Sequence, residues 1–594
     1  MTDERMSGET ADTKGLLAHY PWVLGFAILL VVALHVSAFR SAGLSQDYDS
    51  VLRLLELRDF MAGRGWFDTV QPRVLPPEGL DLHWSRLIDA VLAGAIVFVS
   101  FFVDPARAET AVLFAWPVLL LILLIAISGA MVRERFGDKA ASLTVLVAAT
   151  SQLLRGVYFL PGLIDHHNVQ IVVMAGVAWG LLSDGDRTRS GLAAGALTAL
   201  SLAVGLEAVG FIAVAIVFLG LRYIALGGWE AERVGGFGLA LMLTAPLLFL
   251  AQTAPSDWTV PHCDELALPV LWVTTVAGLY LLGLARMTRD ATRPERVRVA
   301  LVLAVPALLA LLPAAQACAD GPYDMVSDMV KRIVVANVIE NLPLRFFLVH
   351  LPVQGLSMAL PFLCVILLLA PTLASGKARD ARALSVALSL LALAVSLLQA
   401  RMMIWGFATL PAALGVAFHD FTRQNRINLV WTFRLLLVIA ASFPHLFGLA
   451  FVGLSAPAPS QIASPTEDPR CVTREAIESL NALPPSLIFN PIEFGTLLLV
   501  HSPHSVTGAS YHRSPRALEY GIVPFLYEQS DALRAALADT GADYVILCRG
   551  KSYGPDTTVA TRLAAGEDVD FLTDTPVPSG GDILRVLKVD KDKL

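Results

Sequence analysis

Carboxylates recur in this sequence just beyond the ends of long apolar runs, where they could do chemistry. Asp47-Tyr48-Asp49 follows the first run, Asp165-His166-His167 the third, Glu207 lies between the fifth and sixth, and Glu340 stands in a later stretch, 316–351. Oxygen ligands converging from separate loops suit a hard divalent cation such as Mg2+ or Mn2+. Asp47 and Asp49 also stand where a helix would start, so helix capping is the alternative for that pair. Two adjacent histidines rarely serve one metal unaided, which favours a mixed site using Asp165 and His167 over a zinc site of His and Asp alone. Arg401 follows an apolar run; such an arginine either snorkels to the interface or clamps a phosphate with its planar fork. Near the C-terminus His501, His504, Tyr511, His512 and Arg513 lie close together. They form either an acceptor or docking surface or a set of loop polar groups that satisfy backbone.

The elements that must position these residues are set by composition. Of 594 residues, 55% are hydrophobic and 16% charged, with mean hydropathy +0.63. This excludes an ordinary cytosolic enzyme, since soluble domains carry roughly 25% charged residues. Apolar runs long enough to cross a bilayer recur, so the chain reads as a polytopic membrane protein. A net charge of -7 offers no basic field for nucleic acid.

The runs predict thirteen spans, near 21–39, 110–131, 140–154, 168–182, 190–204, 206–221, 236–251, 268–285, 299–315, 352–372, 383–400, 402–418 and 429–453. Short loops rich in Lys and Arg fall on one side, around Arg133, Arg187, Arg222, Arg289, Lys377 and Arg423, and that side is cytoplasmic by the positive-inside rule. The pattern requires that 87–103 not cross but lie on the outer leaflet; the alternative is a true span with inverted topology downstream. The first run lacks a following cleavage site, so it reads as a retained anchor.

This gives a cytoplasmic tail at 1–20, a membrane domain at 21–454 with outer loops at 40–109 and 316–351, and an extracytoplasmic α/β domain at 455–594. Pro457, Pro459 and the polar stretch to Pro469 mark the linker. Strands are predicted at 485–490, 504–510, 543–548 and 583–589, with helices at 472–481 and 529–539. Cys263, Cys318, Cys471 and Cys548 fall on the outer side, where disulfides persist. Pairings 263–318 and 471–548 suit their locations, but three connectivities are open, as are free thiols.

In the order and sidedness of these motifs the chain resembles the catalytic subunit of oligosaccharyltransferase, in its single-subunit bacterial and archaeal form, within the GT-C glycosyltransferases. The resemblance rests on the first acidic pair, on Arg155…Gly162-Leu163-Ile164-Asp165-His166-His167, on Val338-Ile339-Glu340 and on Arg401, and covers most of residues 20–415. It implies a helical fold of about 13 spans with an outward C-terminal domain. It further implies that Asp49 (with Asp47 as a second candidate), Asp165 and His167 hold Mg2+ or Mn2+, that Glu340 touches metal or acceptor, and that Arg401 binds the donor phosphate. The departure lies in the tail. The family's Trp-Trp-Asp-Tyr-Gly acceptor motif has as its nearest match Pro491-Ile492-Glu493-Phe494-Gly495, without either tryptophan. A site built for a hydroxyl loses discrimination without its partners, so sequon glycosylation is not the expected reaction.

The expected activity is transfer of a sugar or oligosaccharide from a polyprenyl phosphate or pyrophosphate to a glycan, lipid or protein acceptor, metal-assisted and inverting, at a bacterial inner membrane. Asp49, Glu207 and Glu340 are the candidate general bases. A permease or flippase for a lipid-linked or small solute, and an inactive assembly partner, are the alternatives.

Overall fold

The computed structural model describes residues 19–45, 47–321, 323, 325–333, 338–374, 378–422, 428–455, 470–577 and 583–594. Residues 1–18 of the expected tail, Lys377, Arg423, Arg426 and the linker at Pro457 and Pro459 lie outside the described residues. Two compact units emerge, one of residues 1–45, 90–319 and 339–459, the other of 46–89, 320–338 and 460–594.

The first unit is helical, as the composition requires: in hydrocarbon every backbone N–H and C=O must be satisfied within its own segment. All thirteen apolar runs fall on helices. Seven are long and apolar enough to cross a membrane, among them Tyr20–Ala42, Pro105–Phe136 and Arg293–Ala317, and two bent pairs bring the number to as many as nine among the described residues. Local signals set their ends. Asp104 accepts from the Arg107 amide at 3.0 Å ahead of Pro105, and Gly137, at φ +83°, ends the same helix. The run at 87–103 forms the helix Arg86–Ser100. Its 15 residues rise about 22 Å, short of a hydrocarbon core of about 30 Å. Leu92 and Ile96 are buried on one side, while Val91 and Phe98 are exposed on the other.

Glycine sets the closest helix packing. A Cβ on Gly191 would lie 2.2 Å from the Arg233 carbonyl oxygen, and one on Gly195 2.3 Å from that of Phe237. Small residues here let the backbones of Arg187–Val204 and Ala231–Gln252 touch. At the basic loops, buried Glu230 receives Arg187 at 3.1 Å, Arg233 at 3.2 Å and Arg222 at 3.5 Å, and Arg135 pairs with Asp380 at 2.6 Å and Asp184 at 2.8 Å. Cys263 and Cys318 form a disulfide, and Cys364 is a buried free thiol.

The second unit departs from the expected boundary at 455, because the loop segments 46–89 and 320–338 fold with the tail. Strands β1 (Val70–Gln71) and β2 (Leu80–Asp81) form a small antiparallel hairpin. The tail's sheet runs β4-β3-β5-β7-β6, from β3 (Leu487–Phe489), β4 (Ser505–Val506), β5 (Tyr544–Cys548), β6 (Leu572–Asp574) and β7 (Leu584–Val589). The β3 pairings with β4 and β5 are parallel; those of β7 with β5 and β6 are antiparallel. Four strands match the sequence expectation, and β6 is the addition.

Three interactions account for the regrouping. Val74 bridges Val506 at the sheet edge, and the Arg73 guanidinium donates to the carbonyls of Leu499, Ser502 (2.9 Å) and His504 (3.3 Å). Leu52, Leu55, Leu80 and Trp84 share one core with Ile477, Ile488, Leu498 and Val586. Val326 and Val330 pack with Leu518 and Val523. Cys471 and Cys548 form the second disulfide, so both pairings are those suggested by location.

Within residues 46–89 four buried charges interlock: Arg53 with Asp89 at 2.9 Å, Arg86 with Asp89 at 3.1 Å and with Glu56 at 3.2 Å. Burial outweighs the nearby Arg86 and Arg64 and pushes the Glu56 pKa up to about 7. The folded state therefore holds this proton more tightly than the unfolded one, so stability present at low pH is lost as pH rises toward 7. Between pH 5 and 8 the thermal midpoint of the wild type is expected to fall relative to that of Glu56→Gln, by an amount equivalent to on the order of 2 kcal/mol. Parallel pH profiles would contradict the buried, protonated state.

Candidate functional site

The most concentrated chemistry in the helical unit sits at the start of helix His166–Leu182. The preceding loop is fixed by a close approach: Gly162 has φ +96°, and a Cβ there would lie 2.7 Å from the Ser45 amide nitrogen. Ser45 in turn donates to the Pro161 carbonyl at 2.7 Å, and the Asn168 amide donates to that of Leu163 at 2.9 Å. Asp165 thus occupies the N-cap position, but its side chain makes no capping bond. Its carboxylate lies instead between two imidazoles, 2.6 Å from His166 Nδ1 and in contact with His167 Nδ1.

His166 reaches further. Its Nε2 lies 3.0 Å from a Glu207 oxygen, and the Gln170 amide donates to the same carboxylate at 3.2 Å and to the Gly205 carbonyl at 2.9 Å. The Trp405 indole donates to the Glu207 carbonyl. His166 and His167 stack at 4.5 Å, and Tyr158 lies 5.8 Å from His167. Burial alone would raise the Asp165 pKa, but the two imidazoles hold it well below the usual carboxylate range. Burial would likewise depress His166, yet Asp165 and Glu207 raise it to about 10.

Ligand atoms of Asp165, His166 and His167 lie within 4.8 Å of one another. The contacts of His166 are close enough for ion pairs but not aligned as hydrogen bonds, and Gln170 Oε1 is buried without a donor among the described residues. Such incompletely satisfied polar atoms fit a site that takes a polar or ionic group. One carboxylate with imidazole suits Mn2+ or Zn2+ better than Mg2+. Since both nitrogens of His166 face carboxylates, Asp165 and His167 are the residues available as ligands.

Two other expected residues are neighbours by backbone. Glu340 lies in the short turn Ile339–Asn341, its side chain outside the described residues. Arg401 lies half-buried in the turn Ala400–Met403. The Ala400 amide donates to the Leu342 carbonyl at 2.9 Å, and the Gln399 amide bonds Asn341, so the two turns are held together.

In the second unit Asp47 is the N-cap of helix Tyr48–Met61, accepting from the Ser50 amide at 3.2 Å and hydroxyl at 3.1 Å. The capping alternative therefore describes Asp47. Asp49, in the first turn, accepts from the Tyr511 hydroxyl at 3.2 Å. Tyr511 is 8% exposed, edge-on to Trp84 at 5.7 Å; burial first, then the Asp49 charge, push its pKa well above the ordinary value, leaving a neutral donor.

The acceptor surface expected from the tail is not an exposed patch. His504 is fully buried, with Nδ1 accepting from the Ser486 amide at 3.2 Å and Nε2 donating to the Leu480 carbonyl at 3.0 Å. Tyr511 is spent on Asp49, and Arg513 pairs with Asp81 at 3.3 Å. His512 is half-buried, its ring 5.1 Å from His83 and 5.3 Å from Tyr323. Glu493 is held by Lys551 at 2.5 Å, both side chains 9% exposed. Sequence reading missed Lys551, His166, Gln170 and the contact of Tyr511 with Asp49. Only the Gln170 spacing, one turn after His166 on the same helix face, was visible locally.

No known family profile matches the sequence, and no curated protein does. Solved structures do match. The apo oligosaccharyltransferase of Archaeoglobus fulgidus superimposes with TM-score 0.64 at 15% identity, covering 90% of this chain and 70% of that one. The oligosaccharyltransferase AglB of that organism, in complex with an inhibitory peptide and a dolichol-phosphate, gives 0.62 at 14% identity over 89% and 69%. A complex of the enzyme with Zn and sulfate gives 0.55 at 16% identity over 89% and 68%. The fold is thus the GT-C type expected from the motif order: polytopic and helical, with a C-terminal α/β unit.

The Lys551–Glu493 pair offers a direct check on how the tail uses its acid. Lys551→Met alone removes the cation that meets a buried carboxylate and is expected to cost about 3 kcal/mol in unfolding, whereas Lys551→Met with Glu493→Leu is expected to restore most of that loss. Equal, additive losses would mean that the two side chains do not depend on each other.

Proposed function

We propose that the protein is a membrane glycosyltransferase that takes a sugar or oligosaccharide from a polyprenyl phosphate or pyrophosphate and transfers it, with inversion, to an acceptor on the periplasmic face of a bacterial inner membrane. The observation that carries this reading is the buried Asp165–His166–His167–Glu207 cluster, in a fold shared with an enzyme whose solved complexes hold dolichol-phosphate, an inhibitory peptide, Zn and sulfate. A polyprenyl donor cannot leave the bilayer, which supports a site at helix ends rather than in a soluble domain.

Asp165 and His167 would hold a divalent cation, Mn2+ being the ion that both carboxylate and imidazole accept. Such an ion supplies, when bound, positive charge against the negative charge that builds on the departing phosphate. Arg401 contributes a planar, permanently charged fork to the same phosphate. Asp49 is the proposed general base: it accepts the acceptor's proton as the bond from acceptor oxygen to anomeric carbon forms and the bond from that carbon to the phosphate oxygen breaks. Glu340 remains a second candidate for contact with metal or acceptor. The engagement of Glu493 by Lys551, with both family tryptophans missing, favours an acceptor other than a protein sequon.

The test compares polyprenyl-linked sugars and surface glycans in cells carrying wild type, Asp49→Asn or Asp165→Asn at matched protein levels. Each variant is expected to make one lipid-linked sugar accumulate and one glycan fall at least about 100-fold, the order seen when a charge-stabilising group is lost. An unchanged profile in both would favour transport or assembly instead.

A further inference from the structure

Glu207 joins the cluster from a different segment, and its geometry differs from that expected of a base. A base must present a lone pair to the substrate. The Glu207 carboxylate is instead directed at His166 Nε2, 3.0 Å away, and receives the Gln170 amide at 3.2 Å. Its backbone is anchored by the Trp405 indole. Behind it Gly205 leaves no room, since a Cβ there would lie 2.4 Å from Glu207 Oε2, 2.9 Å from His166 Cδ2 and 3.1 Å from Gln170 Nε2. Gly205 has φ 173°, ordinary extended backbone, so its smallness here serves the approach of side chains rather than a turn.

The other edge of the His166 ring meets Asp165, at 2.6 Å. An imidazole with a carboxylate at ion-pair distance from each nitrogen is restrained in position, and it restrains the carboxylate it touches. Direct partners of metal-ligating groups orient them and are typically worth 10- to 100-fold in metal affinity; His166 stands in that place to Asp165, and Glu207 stands behind His166. The Asp165 side chain makes no capping bond and meets the imidazoles of both His166 and His167.

We infer that Glu207 is a positioning residue that acts through His166 to orient Asp165 toward a divalent cation. The inference rests on the metal-assisted reading above and assigns Glu207 a part distinct from proton abstraction.

The experiment titrates Mn2+ into the purified full-length protein in detergent and follows the free-ion signal by electron paramagnetic resonance, with thermal unfolding recorded for each variant. Asp165→Asn should abolish binding at the site. Glu207→Ala should raise the Kd about tenfold, and Glu207→Gln, which keeps an oxygen to accept from His166, should recover most of it. The decisive comparison is a double-mutant cycle: once His166 is Gln, Glu207→Ala should have no further effect.

Additive effects of the two substitutions, or unaltered Mn2+ affinity in Glu207→Ala, would overturn the positioning role while leaving the metal reading intact. Loss of Mn2+ binding only in proportion to a fall in thermal midpoint, without recovery by Gln, would also overturn it. If Asp165→Asn itself leaves affinity unchanged, the metal reading fails, and the inference with it.

Discussion

A charge removed from water has to meet an opposite charge at contact distance, and this requirement organises the molecule more than any other. Asp165 is 7% exposed and lies against two imidazoles. Glu230 is fully buried and is met by three arginines. In the second unit Arg53, Asp89, Arg86 and Glu56 line up as a chain of ionisable groups, and Arg585, 1% exposed, is shared by Asp568 and Asp574. An unpaired ion in such settings would cost several kcal/mol, so each cluster holds together segments far apart in sequence.

The clusters serve different ends. Those at Glu230 and Arg135 join the basic loops between helices, with every described charge answered by a neighbour. The cluster at Asp165 differs in chemistry, joining carboxylates to imidazoles and a glutamine amide rather than to guanidinium groups.

The second unit follows from another constraint. A small sheet needs both faces and its edges covered, and the tail alone does not supply the cover. Residues 46–89 provide it, with Val74 on the edge of β4, Arg73 on the open carbonyls of helix Gly495–His501, and Leu52, Leu55 and Trp84 in the core. The acidic pair at residues 47 and 49 is carried on this covering segment. Asp49 accepts from Tyr511, from a stretch whose polar residues read in sequence as an acceptor or docking surface or as loop groups that satisfy backbone.

What the sequence determined by itself is whatever depends on neighbours along the chain. Apolar runs became helices because lipid leaves the backbone no other partner, and four strands of the tail announced themselves by short apolar runs between turn residues. Strand β6, three residues long, was too short to carry a period. The motif order, with Asp165, His167, Glu340 and Arg401 just beyond apolar runs, pointed to the fold. The tertiary structure decided what each polar residue does. It made Asp47 a cap and Asp49 a partner of Tyr511, closed Glu493 onto Lys551, buried His504, and turned Glu207 toward His166. The contacts of Glu207 with His166, Glu493 with Lys551 and Asp49 with Tyr511 join residues from about 40 to more than 460 positions apart, and the energy of each is set by distance and burial in space, which local spacing does not encode.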